Sequence, residues 1–98
     1  MKGILIQPGR APAITALPDT LQGMEKLLGG HVMQYVFPRT PAVLVYSYTG
    51  QGVNRFCQDR TLCGPILCYG WRGGDIKPLS GDLANEMLDR LKEFRVRI

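Results

Sequence analysis

The sequence lacks an apolar run long enough to cross a membrane, and this absence sets the first limit on its function. No stretch of the 98 residues approaches the roughly 18 consecutive apolar residues of a spanning helix. The N-terminus also lacks the basic segment, apolar stretch and small-residue cleavage pattern of a signal peptide. We therefore expect a cytoplasmic protein whose residues 1–98 form a single domain.

Residues that commonly bind metals or act as nucleophiles are few. The three cysteines, Cys57, Cys63 and Cys68, are odd in number and match no zinc-binding spacing, and His31 is the only histidine. We predict no metal and no cofactor. Cys57 lies close in sequence to two arginines that could lower its pKa and make it a nucleophile. No partner base is evident for it or for His31, so we predict a non-catalytic protein.

Acidic residues are scarcer than basic ones, and the imbalance is local. The net charge is +4, and residues 39–80, with five basic and two acidic side chains, carry +3 of it. Arginine outnumbers lysine eight to four. The planar guanidinium group suits phosphate and carboxylate groups better than the point charge of lysine does. The composition therefore favours an anionic partner for the middle of the chain.

Two strand-like stretches dominate that middle. Val43–Tyr48 and Pro65–Trp71 are rich in β-branched and aromatic residues, and alternation puts apolar side chains on both faces of each. This pattern predicts central strands covered on both sides. The connection Thr49–Gly64 is too long for a plain hairpin, so it is a functional loop, a disordered one, or one with its own structure. Phe56 is expected to anchor it to the core.

The remaining elements follow from periodicity and capping signals. The predicted order is β-β-α-β-β-loop-β-α, which is an α+β domain with a mainly antiparallel sheet of four to five strands and the C-terminal helix packed on it. The other predicted strands are Lys2–Gln7, Ala13–Leu17 and His31–Phe37. The first helix is predicted over Asp19–Leu28 with Asp19 as its N-cap and one apolar stripe, Leu21, Met24, Leu27 and Leu28. The second begins after Ser80 and extends to about Phe94 or Arg95.

Several turn and cap residues, taken together, resemble a known family. They are Pro8-Gly9, Gly29-Gly30, Asn54-Arg55, the stretch from Gly64 to Gly70, and Leu79-Ser80. Over nearly the whole chain this pattern is similar to domain-of-unknown-function family 3846. The resemblance implies an accessory protein of phages and mobile elements in gut and Gram-positive bacteria, and it implies that the Asn54-Arg55 pair belongs to a site.

We predict that the protein binds an anionic small molecule, such as a nucleotide or cyclic nucleotide signal, and in doing so sequesters a host defence signal. Arginines would contact the charged groups, aromatic side chains would stack, and Gly50 and Gly52 would let backbone N–H groups approach a phosphate. The predicted ligand-binding residues are Tyr48, Asn54, Arg55, Arg60, Trp71 and Arg72.

Three alternatives stay open at this point. Arginine, tyrosine and tryptophan are also frequent in protein interfaces, so the chain could be an inhibitor or interaction module acting on a bacterial defence protein. A nucleic-acid-binding accessory protein is a second alternative, although no helix-turn-helix, RNA-recognition or zinc-finger pattern is present. An enzyme using Cys57 is the third. A homo-oligomer is compatible with each of these functions.

Overall fold

The computed structural model describes residues 1–98 and contains nine strands and two helices. The α+β class predicted from the sequence is confirmed. In chain order, the elements are β1 (Lys2–Ile6), β2 (Ala13–Ala16), α1 (Leu21–Leu28), β3 (Val32–Val36), β4 (Ala42–Ser47), β5 (Val53–Cys57), β6 (Arg60–Cys63), β7 (Ile66–Arg72), β8 (Asp75–Lys77), α2 (Gly81–Leu91) and β9 (Arg95–Val96).

The strands form two sheets. The larger has six antiparallel strands in the order β2-β1-β7-β4-β3, with β8 paired to the end of β7. The smaller is mixed: β6 pairs antiparallel with β5, and β9 lies parallel to the other side of β5. Neither helix is long and apolar enough to span a bilayer.

The central position predicted for the two apolar stretches is confirmed. Strands β4 and β7 are neighbours, and every residue of β4 is buried. Alternation sends one set of side chains toward α1 and the other toward α2, which gives the sheet a core on each face. The α1-side core contains Met24, Leu28, Val43, Val45, Leu67 and Tyr69. The α2-side core includes Ile4, Leu44, Tyr46, Ile66, Cys68, Met87 and Leu91.

The long connection after β4 has its own structure. It forms the β5–β6 hairpin, whose turn places Gln58 at a φ of 56°. Its anchors are Cys57 and Leu62, which are fully buried in the α2-side core. Phe56 was expected to be the anchor, but it is only half-buried and packs against Phe94 instead.

Both helices differ from their predicted limits. The side chain of Thr20, not of Asp19, caps α1, because its Oγ1 accepts a hydrogen bond from the Gly23 N–H at 3.0 Å. Only half of the predicted apolar stripe is buried, and Leu21 and Leu27 are 59% and 47% exposed. Helix α2 ends at Leu91 rather than near Phe94, since the chain turns there to add β9 beside β5.

A buried asparagine joins the hairpin to the main sheet. Asn54 donates both Nδ2 hydrogens, to the carbonyls of Ile6 at 2.9 Å and Gly64 at 2.7 Å, and its Oδ1 accepts from Arg55. The side chain is fully buried with its hydrogen-bonding groups satisfied. Removing it would leave two buried carbonyls with fewer partners.

We expect Asn54→Ala to lower the free energy of unfolding by roughly 2–3 kcal/mol, because buried carbonyl groups lose the hydrogen bonds that Asn54 donates to them. Urea denaturation followed by tryptophan fluorescence measures this change. Asn85→Ala is the matched control, since Asn85 is exposed on α2 and its loss should change stability by less than about 0.5 kcal/mol. Equal midpoints for the two variants would contradict the structural role of Asn54.

Candidate functional site

The six predicted site residues do not gather around one pocket. They line three separate concavities, two residues in each: Tyr48 with Arg60, Trp71 with Arg72, and Asn54 with Arg55. The structure therefore does not bring Arg55, Arg60 and Arg72 together in one concavity. Each concavity has to be assessed by its own geometry and charge.

The concavity at Asn54 and Arg55 has the most distinctive electrostatics, and we call it the arginine concavity. Its volume is about 530 Å³, and it is bounded by the β1–β2 turn, the start of β5 and the segment after α2. These three segments are distant in sequence. The residues that line it are Gly9, Arg10, Ala11, Pro12, Val53, Asn54, Arg55, Lys92 and Phe94. Three of them are cationic and none is acidic.

Arg55 is buried without a carboxylate partner. It is 6% exposed, and none of the ion pairs of the structure includes it. Its Nε donates to the Leu91 carbonyl at 2.8 Å, and its Nη1 donates to the carbonyl and Oδ1 of Asn54 at 2.8 and 3.0 Å. Leu91 is the last residue of α2, so the cation lies at the negative end of the helix dipole. Burial lowers the pKa of Arg55 from its ordinary value.

One nitrogen of Arg55 remains available. Its Nη2 makes no hydrogen bond within the protein. Every fully buried side-chain nitrogen or oxygen of the chain has a hydrogen-bond partner, so Nη2 is not fully buried and solvent reaches it. Arg55 lines the arginine concavity. The other buried arginine, Arg90, differs because Glu86 lies 3.3 Å from its Nη1. A guanidinium N–H that solvent reaches and that has no counterion is suited to donate to an anion.

Two exposed cations and two exposed apolar side chains complete the arginine concavity. Arg10 follows the Pro8-Gly9 turn, and Lys92 follows the end of α2. Phe94 is 51% exposed and is held edge-on against Phe56, with ring centroids 4.9 Å apart. Val53 is 50% exposed. The arrangement can therefore hold negative charge beside Arg55 and offer an aromatic surface next to it.

The concavity with Tyr48 and Arg60 has a volume of about 340 Å³ and lies between β4 and β6. The Arg60 Nη1 is already 3.3 Å from the Tyr46 hydroxyl, and its guanidinium lies 5.8 Å from the centre of the Tyr35 ring. Gly50 was expected to bring backbone N–H groups to a phosphate. It instead allows close packing, since a Cβ there would clash with the Cys63 carbonyl oxygen.

The concavity with Trp71 and Arg72 has a volume of about 470 Å³ and lies near the start of α2. Arg72 and Lys77 both line it. The predicted stacking role of Trp71 does not fit this concavity, because alternation along β7 directs its indole to the opposite face of the sheet, against the α1-side core. Two cations remain there without an aromatic surface.

The cysteines and the histidine form no reactive arrangement. Cys57 is fully buried, and burial raises the pKa of its thiol rather than lowering it, although Arg60 and Arg90 act in the opposite direction. Burial also raises the pKa of Cys68, to about 12. His31 is exposed with its Nδ1 3.1 Å from Glu25. No three His, Cys, Asp or Glu side chains come close enough together to hold a metal ion.

Sequence reasoning missed Arg10, Lys92 and Phe94. Arg10 and Lys92 lie outside the segment with the largest charge excess, and Phe94 was placed at the end of a longer second helix. A turn signal directly before Arg10 was visible, but nothing in the sequence indicates that this turn meets the end of α2. Only the pairing of β1 with β7 and the position of β5 bring the three segments together.

Comparison with protein families gives one match. The family model described as Domain of unknown function (DUF3846) matches residues 1–92. This range includes every lining residue of the arginine concavity except Phe94. No curated protein sequence and no solved structure matches the chain.

The burial of the thiols predicts their reactivity. At pH 8 we expect iodoacetamide to alkylate only Cys63 readily in the folded protein, because Cys57 and Cys68 are buried and their pKa values are raised. Intact-mass spectrometry with peptide mapping counts the modified sites, and all three should react in urea. Rapid alkylation of Cys57 in the native state would contradict the structure and restore it as a candidate nucleophile.

Proposed function

We propose that this chain, a member of the DUF3846 family over residues 1–92, binds an anionic small molecule in the arginine concavity without catalysis. The observation that carries the proposal is Arg55, a buried cation with a solvent-reached N–H and no carboxylate partner. The remaining cations of the concavity, Arg10 and Lys92, add to the same positive potential.

The electrostatics favour this location over the other two concavities. Charge-assisted hydrogen bonds are roughly twice as strong as neutral ones, and they gain further where water is partly excluded. Arg55 is held by three hydrogen bonds before any ligand arrives, so little side-chain entropy is lost on binding. Arg60 is exposed and is held by one hydrogen bond, to Tyr46, and the exposed Arg72 side chain makes none.

The geometry supports a ligand that carries both phosphate and an aromatic ring. A volume of about 530 Å³ is in the usual range for small-molecule sites. Phosphate would contact Arg55, Arg10 and Lys92, and a base would stack on Phe94, a contact worth roughly 1–3 kcal/mol. A nucleotide or cyclic nucleotide signal has this chemistry. In a phage or mobile-element accessory protein, such binding would sequester a host defence signal.

A cytoplasmic site of action is part of this proposal. All three cysteines are unpaired, which supports a reducing compartment. Nucleotide signals are formed in that compartment as well, so ligand and protein would meet there.

A thermal-shift screen with ATP, cyclic mononucleotides, cyclic dinucleotides and inorganic phosphate tests the proposal. A ligand at about 100 times its dissociation constant should stabilise the fold by roughly 2.7 kcal/mol, which raises the melting temperature of a domain of this size by roughly 10–20 °C. Arg10→Ala combined with Lys92→Ala should remove most of that shift. Arg72→Ala combined with Lys77→Ala is the control, because it removes the same charge from another concavity.

Arg55 itself is a poor position for the binding test. We expect Arg55→Ala to lower the free energy of unfolding by roughly 2–4 kcal/mol, because the carbonyls of Leu91 and Asn54 lose their donor. Its effect on ligand binding would be confounded by that loss.

Two outcomes of the thermal-shift screen would contradict the proposal. Equal loss of the thermal shift in the two double variants would show that overall charge, not the arginine concavity, is responsible. The absence of a shift with every compound would overturn the proposal as well.

The exposed side of α1 favours protein binding as the second candidate function. Leu21 and Leu27 are 59% and 47% exposed, and Leu21 lines a concavity with Trp71 and Ile76. Apolar side chains of this size in one area are typical of protein interfaces. A module that inhibits a bacterial defence protein would use this surface. Leu21→Asp should then weaken binding to such a protein and leave the nucleotide-induced thermal shift unchanged.

Nucleic-acid binding is tested by its dependence on salt. If single-stranded or duplex DNA binds through the same cations, affinity should fall steeply between low and moderate salt. The slope of the logarithm of affinity against the logarithm of salt concentration should become shallower by about 1 for each phosphate-contacting cation removed. A small nucleotide makes fewer phosphate contacts and should show a shallower slope. Fluorescence polarisation over a salt series separates the two ligand classes.

A further inference from the structure

Strand β3 forms one free edge of the larger sheet. It pairs with β4 on one side only, and no element adds a strand on the other side. The N–H of Phe37 donates to the Ala42 carbonyl, toward β4. Since backbone groups alternate along an antiparallel strand, Met33 and Tyr35 also bond to β4. The N–H and C=O groups of Val32, Gln34 and Val36 therefore point outward, without a protein partner.

This edge has none of the features that normally prevent pairing. The segment Val32–Val36 contains no charge, no proline and no bulge. Met33 and Val36 are 41% and 39% exposed, so apolar side chains accompany the free backbone groups. The other edge strands are shorter, since β2 has four residues between Pro12 and Pro18 and β8 has three, two of them charged. Strand β3 is thus the longest edge strand of the larger sheet that is open to another strand.

We infer that two copies of the chain associate by antiparallel pairing of their β3 strands about a two-fold axis at Gln34. In this register Gln34 pairs with the partner's Gln34. Val32 pairs with the partner's Val36, and Val36 pairs with the partner's Val32. Each pair would exchange two backbone hydrogen bonds, because these are the residues whose backbone groups point outward. The larger sheets of both copies would become one continuous sheet.

Side chains are complementary in the same register. On the α2 side of the sheet, Met33 of each copy lies opposite the partner's Tyr35, so pairing covers the exposed Met33 side chain with the partner's strand. Glu25, whose carboxylate lies 3.1 Å from His31, is the acidic group at the start of β3, and Lys26 is its basic neighbour on α1. Arg39 follows β3, so antiparallel pairing brings Arg39 of each copy to the end of the partner's strand where Glu25 lies. A parallel arrangement would place like charges together.

Substitutions at the two-fold axis test this pairing. Analytical ultracentrifugation at micromolar to millimolar concentration should give a mass of twice 10.9 kDa for the natural sequence. Gln34→Lys and Gln34→Glu should each give a monomer, because like charges would face each other across the axis. Both substitutions lie on an exposed position, so the fold should persist, which circular dichroism checks. Thr15→Lys, on the opposite edge strand β2, is the matched control and should remain dimeric.

Mixing the two charge variants gives the decisive measurement. An equimolar mixture of Gln34→Lys and Gln34→Glu should form a heterodimer with a mass of twice the chain, since opposite charges then meet at the axis. Native mass spectrometry identifies the mixed species. A natural sequence that stays monomeric at millimolar concentration would overturn the inference. Dimers that persist in each single variant, or monomers in the mixture, would overturn it as well.

Discussion

The guanidinium group of Arg55 is the interaction on which the rest of the arrangement depends. It joins the last carbonyl of α2 to the start of β5, and through Asn54 it is linked to β1 and to the glycine before β7. The two cores are built on the alternating side chains of β4 and β7, and the α2-side core also includes Cys57 and Leu62 of the hairpin. The small sheet, however, makes few other polar contacts with the large one. Arg55 and Asn54 thus fix where the hairpin lies against the main sheet.

The same interaction creates an electrostatic imbalance. A buried arginine normally has a carboxylate nearby, as Arg90 has Glu86, because an unpaired charge is expensive to desolvate. Arg55 has only carbonyl and amide oxygens, the helix dipole and a small opening to solvent. These neutral acceptors hold the side chain in place without neutralising it. A structural arginine of this kind keeps its positive charge, so its structural role and the proposed binding role are compatible.

Much of the fold could be predicted from the sequence, whereas the candidate site could be predicted only in part. Alternation in Val43–Tyr48 and Pro65–Trp71 identified the central strands and their two faces, since burial on both sides leaves a local pattern. The β5–β6 hairpin has no such local pattern in the sequence, because its buried anchors are a single cysteine and a single leucine among polar residues. Asn54 was identified through the resemblance to a family, and Arg55 through that resemblance and through the excess of arginine in the middle of the chain. Arg10 and Lys92 could not be identified from the sequence, because tertiary packing alone brings the β1–β2 turn to the end of α2.

The positions of the arginine concavity and of the β3 edge determine how binding and assembly would relate. The concavity is bounded by the β1–β2 turn, whereas β3 is the last strand at the other side of the order β2-β1-β7-β4-β3. Adjacent strands are about 4.8 Å apart, so the concavity and the edge lie roughly 15–20 Å from each other across the sheet. Pairing of two β3 strands would therefore leave both concavities open at the outer ends of one long sheet. Since no residue of the β3 edge lines the arginine concavity, each copy would bind its anion with its own side chains, and dimerisation would double the number of sites without changing their affinity.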